Sequence, residues 1–156
     1  MKLTYFGVDG IPMVEPGDDL VDQIDRAITA MGESLVDNDV IVIAQKIISK
    51  AEDRYLDLRT VTPSEEAIAL GEKVDKDPRK VQAILDESVE VVRARPGVLI
   101  VEQRNGFVQA NAGIDQSNII MGDGDPDDLC LLLPLDSDAS AADRKSTRLN
   151  SSPDPI

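Results

Sequence analysis

The spacing of apolar residues along the chain predicts three amphipathic helices, at about 19–35, 65–75 and 78–92. In each segment apolar residues recur every three or four positions, which places them on one face of a helix. Ser64 is a suitable N-cap for the second helix, and Pro78 lies in the first turn of the third, where its missing N–H costs nothing. The buried stripe of the third helix is expected to comprise Val81, Ile84, Leu85, Val89 and Val92.

Short apolar runs predict the strands. Leu3–Val8, Val40–Ala44 and Leu129–Leu133 are expected to be strands, and Val40–Ala44, which is β-branched apart from its last residue, to be buried on both faces. A β-hairpin is predicted at about 98–111, because Asn105-Gly106 separates two apolar runs and both residues tolerate the positive φ of a type I′ turn. Together these elements predict an α/β class (mixed α+β) fold with a mixed sheet.

The composition removes several classes of function. The chain has 156 residues, one cysteine and no histidine. Without histidine there is no Ser–His or Cys–His nucleophile pair, so any chemistry must rely on carboxylates, lysines, backbone groups or a cation held by oxygen. The net charge of −14 argues against binding to nucleic acid or to an anionic membrane. The sequence shows no signal peptide and no membrane-spanning run. The single cysteine, Cys130, is expected in the core, and one cysteine fits a reducing compartment. Together these features predict a cytoplasmic protein.

Two lysines form the first candidate site. Lys46 and Lys50 are four residues apart, at the end of the strand predicted at 40–44, so they share a face of a strand or a helix. Two ammonium groups in line could hold a phosphate, and in so acidic a chain an anionic ligand needs a local positive region. The alternative, two surface lysines, is as well supported by these residues alone.

Two loops are further candidates. Gly10–Met13 follows the first predicted strand, where glycine and proline by themselves favour a plain turn. Asp115 lies in the loop after the hairpin and offers a carboxylate of the kind that Mg²⁺ or Mn²⁺ binds. Asn118 could reach the same ligand with its amide. Alternatively, Asp115 and Asn118 cap their own backbone in an Asx-turn.

Several motifs, taken in order, resemble one family, the coenzyme F420:L-glutamate ligases or γ-glutamyl ligases. The motifs are Val-Asp-Gly-Ile-Pro at 8–12, Gln-Lys-Ile-Ile-Ser-Lys-Ala-Glu at 45–52, the segment with Glu-Ser and Arg-Pro-Gly at 87–97, and the segment at 105–118. The resemblance covers Leu3 to about Ala142. It implies GTP-dependent addition of L-glutamate to the precursor of the deazaflavin coenzyme F420, through an acyl phosphate and an amide bond. Such chemistry requires cations around phosphates rather than a histidine base.

The resemblance also implies ligands and partners. Asp115 would bind a divalent cation, Mg²⁺ or Mn²⁺, with K⁺ as a further candidate, and no side chain is assigned as catalytic. The partners would be small molecules, namely GTP, the F420 precursor and L-glutamate, and the protein would be a homodimer. The residues expected to contact the nucleotide are Gly10, Ile11, Pro12, Met13, Gln45, Lys46, Lys50 and Asn118.

The chain departs from the family in its second half. Family members are longer and carry further metal ligands and a Gly-rich nucleotide segment, neither of which is present here. We therefore expect residues 1–142 to be the N-terminal part of a ligase-like domain, truncated and catalytically incomplete. The polar residues 143–156 are expected to be a disordered, non-native tail. The alternatives are a non-catalytic nucleotide- or metal-binding module and a fold remnant.

Overall fold

The computed structural model of the chain describes residues 3–117, 119 and 126–151. In chain order the helices are α1 (Leu20–Ala30), α2 (Gln45–Ala51), α3 (Glu65–Val74), α4 (Pro78–Asp86) and α5 (Ser137–Ser151). The strands are β1 (Tyr55–Asp57), β2 (Ser88–Arg95), β3 (Val98–Gln103), β4 (Val108–Ala110) and β5 (Leu129–Leu131). The chain divides into two compact units, Met1–Asp53 with Asp136–Ile156, and Arg54–Leu135. The α/β class is confirmed, and the sheets described are antiparallel rather than mixed.

The first unit contains α1 and α2. The carboxylate of Asp19 accepts hydrogen bonds from the backbone N–H groups of Val21 and Asp22, both at 3.0 Å, and so fixes the start of α1. The helix ends at Ala30 rather than near 35, because Gly32, with φ of +78°, turns the chain out of the helix. The apolar faces of the two helices contribute to a small core cluster of Val14, Leu20 and Ala51 with Ile11, Ile24, Ile47 and Ile48.

The two strands predicted in the first unit are wrong. Neither Leu3–Val8 nor Val40–Ala44 is a strand, and Val42, expected to be buried on both faces, is 90% exposed. A strand is stable only when a neighbour satisfies its N–H and C=O groups. The residues that the structure describes offer no such neighbour to either segment. The chain instead enters α2 directly at Gln45.

The second unit places α3 and α4 against an antiparallel sheet of order β2-β3-β4. Ser64 Oγ accepts a hydrogen bond from the N–H of Ala67 at 3.1 Å, which caps α3 and confirms its predicted start. Asp77 caps α4 through the N–H of Arg79 at 2.8 Å, with Pro78 in the first turn as predicted. The core, which includes the predicted Cys130, comprises Leu58, Ala67, Val74, Val81, Ala83, Ile84, Leu99, Val101, Ala112, Ile114, Cys130 and Leu132.

Helix α4 ends at Asp86, so the prediction of a helix to 92 is wrong beyond that point. The remaining residues form β2, which pairs with β3, and Val89 is 67% exposed instead of buried. The physical reason lies in the Pro96-Gly97 turn: Gly97 takes φ of +76°, and the chain folds back so that β2 pairs antiparallel with β3, with register shifts between Ser88 and Glu90 and between Val91 and Arg93. Valine-rich segments also favour strands.

The predicted hairpin is confirmed as β3 and β4, but its turn differs from the prediction. The N–H of Gln103 donates to the carbonyl of Phe107 at 2.8 Å, so the loop has three residues rather than two. Only Gly106 in this loop takes a positive φ, +82°, whereas a type I′ turn needs two such residues. The loop therefore uses the glycine alone for the left-handed position.

A second sheet pairs β1 with β5. The predicted last strand is thus confirmed, ending at Leu131, whereas β1 was not predicted. Helix α5 covers part of the segment expected to be a tail, while residues 152–156 lie outside the described residues. The non-native origin of that segment stays a prediction. Within the described parts of the chain, no helix combines the length and the apolar character that a bilayer span requires.

Candidate functional site

The buried Lys50 is the most informative candidate residue of the first unit. It lies in the last turn of α2, is only 5% exposed, and has its Nζ 3.7 Å from the thioether sulfur of Met13. A thioether is a weak acceptor. In the described ranges Lys50 has no oxygen acceptor and no ion pair. Because a buried charge is stable only when it is paired, this ammonium group is suited to receive an anion.

Met13 is the sequence-predicted residue that the structure brings together with Lys50. Met13 is itself 70% exposed, and its flexible side chain contacts the ammonium group through the sulfur atom. Gly10 has φ of +79°, which a side chain would strain, and Ile11 packs into the small core cluster. Pro12 is exposed. The loop is therefore held by Ile11 while its other residues face solvent.

Helix α2 carries the remaining predicted residues of this unit. Lys46 and Lys50 are one helical turn apart and share a face, as predicted for a helix, and Lys46 is half-buried. Gln45 is exposed, and its amide donates to Ser49 Oγ at 2.5 Å. Ser49 is completely buried and was not predicted. Its pairing with Gln45 fixes the orientation of that side chain on the helix surface.

Asp115 lies in the second unit and is held tightly by its backbone. Its N–H donates to the carbonyl of Leu131 at 3.0 Å, and the N–H of Leu131 donates back at 2.8 Å. Asp115 Oδ1 accepts hydrogen bonds from both the N–H and the hydroxyl of Ser117, each at 2.7 Å. This is the Asx-turn arrangement that the sequence left open as an alternative. Asn118 lies outside the described residues.

The turn that leads to Asp115 is strained. Asn111, Ala112 and Gly113 take φ of 53°, 52° and 73°, a run of left-handed residues that only glycine adopts without strain. Ala112 is buried in the core, so the packing around it maintains this conformation. Strained backbone of this kind clusters at ligand sites and is retained there for function. Only the structure reveals the left-handed geometry of this turn.

A polar network beside Asp115 was missed by sequence reasoning. Lys80 Nζ donates to Gln116 Oε1, and Gln116 Nε2 donates to the carbonyl of Asp127 at 3.0 Å. Arg79 forms ion pairs with Asp77 at 2.6 Å and with Asp128 at 3.0 Å. Apart from Arg79 and Asp77, the partners are distant in the sequence, so no local pattern could have indicated those contacts.

The network and its surroundings perturb two neighbouring groups. Hydrogen bonds from Arg79 lower the pKa of Asp77, which keeps that carboxylate charged. Burial raises the pKa of the Cys130 thiol to about 11. The thiol therefore stays protonated at neutral pH, which agrees with a core role and not with a nucleophile.

The described residues provide one carboxylate for a metal ion at the predicted position. In the part of the chain that the structure describes, no three potential ligand side chains converge. A carboxylate offers about four acceptor positions, and Asp115 Oδ1 accepts the two hydrogen bonds from Ser117. Mg²⁺ is commonly bound by one or two carboxylates with phosphate and water. Lys50 and Asp115 belong to different units.

Comparison with known proteins gives a consistent result. A family model described as F420-0:Gamma-glutamyl ligase matches residues 10–150. The chain is 45% identical to the coenzyme F420:L-glutamate ligase of Methanothermobacter thermautotrophicus over 141 residues, which are 90% of this chain and 54% of that protein. The ligase of Methanocaldococcus jannaschii is 45% identical over 140 residues, with shares of 90% and 51%. That of Halorubrum lacusprofundi is 39% identical over 146 residues, with shares of 90% and 53%. The chain spans about half the length of these relatives.

Proposed function

The chain belongs to the F420-0:gamma-glutamyl ligase family, and from this premise we propose that the protein adds L-glutamate to the precursor of coenzyme F420 in a GTP-dependent reaction. The γ-phosphoryl group of GTP passes to the carboxylate of the precursor, which gives an acyl phosphate and GDP. The amine of glutamate then attacks the acyl carbon, loses a proton and displaces phosphate as the amide bond forms. Catalysis of this kind depends on positioning and on charge stabilisation.

The observation that carries the nucleotide part of this proposal is the buried Lys50. Its ammonium group lies beside an exposed, displaceable methionine and is not neutralised by an oxygen acceptor within the described ranges. A phosphate would supply that missing negative charge. Lys46, on the same face of α2, adds a second positive charge in a chain with a net charge of −14. In this proposal Gly10–Met13, Gln45 and Asn118 complete the nucleotide contacts.

The metal part of the proposal gives Asp115 the role of one ligand to Mg²⁺ or Mn²⁺. When bound, the cation neutralises charge on the phosphates. No three potential ligand side chains converge in the described part of the chain, so we propose that Asp115 supplies one metal ligand and that the ligation requires further ligands to the cation. We also propose that the protein is a cytoplasmic homodimer. Sedimentation of the purified chain tests its oligomeric state.

Calorimetric titration with GTP tests the role of Lys50. The Lys50→Met variant keeps the side-chain volume and removes the charge, so GTP affinity should fall by about 10- to 100-fold, the value of a charge-assisted hydrogen bond. The ligand-free variant should unfold at a higher urea concentration, because an unpaired buried charge is removed. Lys73→Met, on the exposed face of α3, is the matched control and should change neither quantity. Unchanged GTP affinity in Lys50→Met would refute the phosphate role.

A second measurement separates the proposal from its alternatives. If titration with GTP and Mn²⁺ releases heat of binding but labelled glutamate is not incorporated, the chain binds the nucleotide without ligating glutamate. Incorporation of glutamate by the 156-residue chain would support the full ligase reaction and overturn the requirement for further metal ligands. An absence of heat with both GTP and Mn²⁺ would favour a fold remnant and reject the nucleotide site altogether.

A further inference from the structure

The loop that carries Asp115 is held from one side by the β5 strand. The paired hydrogen bonds between Asp115 and Leu131 fix the backbone of Asp115, and leave the direction of the chain after it to be set by other contacts. Ser117 provides two of these contacts through its hydrogen bonds to Asp115 Oδ1, and Gln116 provides the others. Its amide oxygen accepts from Lys80 Nζ, while its amide nitrogen donates to the carbonyl of Asp127 at 3.0 Å. Both ends of the Gln116 amide are therefore engaged, which fixes its rotamer.

Helix α4, which carries Lys80, also holds the segment that leads into β5. Arg79, next to Lys80 in the first turn of α4, contacts Asp128 at 3.0 Å while it remains paired with Asp77. Asp128 directly precedes β5, whose residue Leu131 pairs with Asp115. The contacts thus form a closed ring from α4 through Gln116 and Asp115 to β5, and back through Asp128. A ring of this kind leaves the Asp115 carboxylate little freedom to change direction.

We propose that Lys80 is a positioning residue for the metal ligand Asp115 and acts through Gln116. The inference rests on the proposed role of Asp115 as a ligand to Mg²⁺ or Mn²⁺. Metal ligands depend on outer contacts that orient them, and loss of such a contact costs about 10- to 100-fold in metal affinity. Lys80 makes no direct contact with the cation in this arrangement, so its effect passes through the direction of the loop.

The sign of the charge effect makes the proposal testable. Removal of a nearby positive charge, by itself, favours the binding of a cation. Removal of a positioning contact weakens it. Lys80→Met should therefore raise the dissociation constant for Mn²⁺, measured in the presence of GTP, by about tenfold or more. Lys76→Met removes an equal charge from the turn before α4 without a contact to Gln116, and should leave Mn²⁺ binding unchanged or slightly tighter.

Further variants distinguish the possible failures. Gln116→Leu should weaken Mn²⁺ binding at least as much as Lys80→Met, because it also removes the contact with the carbonyl of Asp127. The double variant should bind Mn²⁺ no more weakly than Gln116→Leu, because the Lys80 contact is already lost in that variant. Urea unfolding of each variant separates a general loss of stability from a loss of affinity. If Asp115→Asn weakens Mn²⁺ binding and Lys80→Met does not, the positioning role is overturned and the metal role stands. If Asp115→Asn has no effect, the metal role fails and the positioning role fails with it.

Discussion

Substitution of Gly113 by alanine is expected to be strongly destabilising, because this glycine meets two separate constraints. Its φ of +73° lies in the left-handed region, where an alanine costs about 1–2 kcal/mol. A Cβ atom at this position would lie 2.9 Å from both Cγ and Cδ1 of Leu133 and 3.0 Å from Nε2 of Gln109. Contacts this short force neighbouring side chains to move, and overpacking of this kind costs about 1–3 kcal/mol.

The net effect follows from these contributions. Alanine also restricts the unfolded chain, which offsets about 0.4–1 kcal/mol of the loss. Gly113→Ala should therefore lower the free energy of unfolding by about 2–4 kcal/mol. Urea unfolding followed by far-ultraviolet circular dichroism measures this change directly.

Two control glycines separate the constraints. Gly106 has φ of +82° but no heavy atom within 4 Å of the added Cβ, so Gly106→Ala measures the backbone strain alone, about 0–1.6 kcal/mol after the offset. Gly7 has neither a positive φ nor a neighbour, so Gly7→Ala should be neutral or slightly stabilising. If Gly113→Ala costs no more than Gly106→Ala, the close contacts with Leu133 and Gln109 carry no energy and the reasoning is refuted.

Two further predictions concern titratable groups. The Cys130 thiol is buried, and its pKa is raised from 9.0 to about 11. The native protein should therefore resist alkylation at pH 8 and react only after unfolding in urea. Rapid labelling of the native protein would contradict a core role. Hydrogen bonds from Arg59 lower the pKa of Asp57 from 3.8 to about 2, so its contribution to stability is present above pH 3.8 and is lost as the pH falls toward 2. Urea midpoints measured across this range should fall less in Asp57→Asn than in the unchanged chain, and parallel pH profiles would refute the assignment.

Local signals in the sequence were sufficient where local interactions decide the structure. The starts of α3 and α4 were predicted because Ser64 and the Asp77-Pro78 pair act within one turn of the residues they cap. The hairpin was predicted because its two strands are joined by a short polar loop. The left-handed run at Asn111–Gly113 was not, because two of its residues are not glycine and only the surrounding packing holds them there.

The candidate site shows the same division. The sequence selected Lys50 by its spacing from Lys46 and Met13 by motif resemblance, and it left open whether the lysines were surface residues. It could not show that Lys50 is buried against a sulfur atom, since Met13 is distant in the chain and the contact depends on the packing of the loop on α2. The Lys80–Gln116 contact was missed for the same reason.

The sequence by itself determined the starts of α1, α3 and α4, the hairpin and the family, because these depend on short-range hydrogen bonds, on turn residues and on motifs in order. The tertiary structure decided whether an apolar segment became a strand or a helix, and where charges were buried. Val40–Ala44 and Ser88–Arg95 both have β-branched character, yet only the second finds a neighbouring strand among the described residues. Strand formation and the burial of a charge both depend on a distant partner, and local sequence contains no record of that partner.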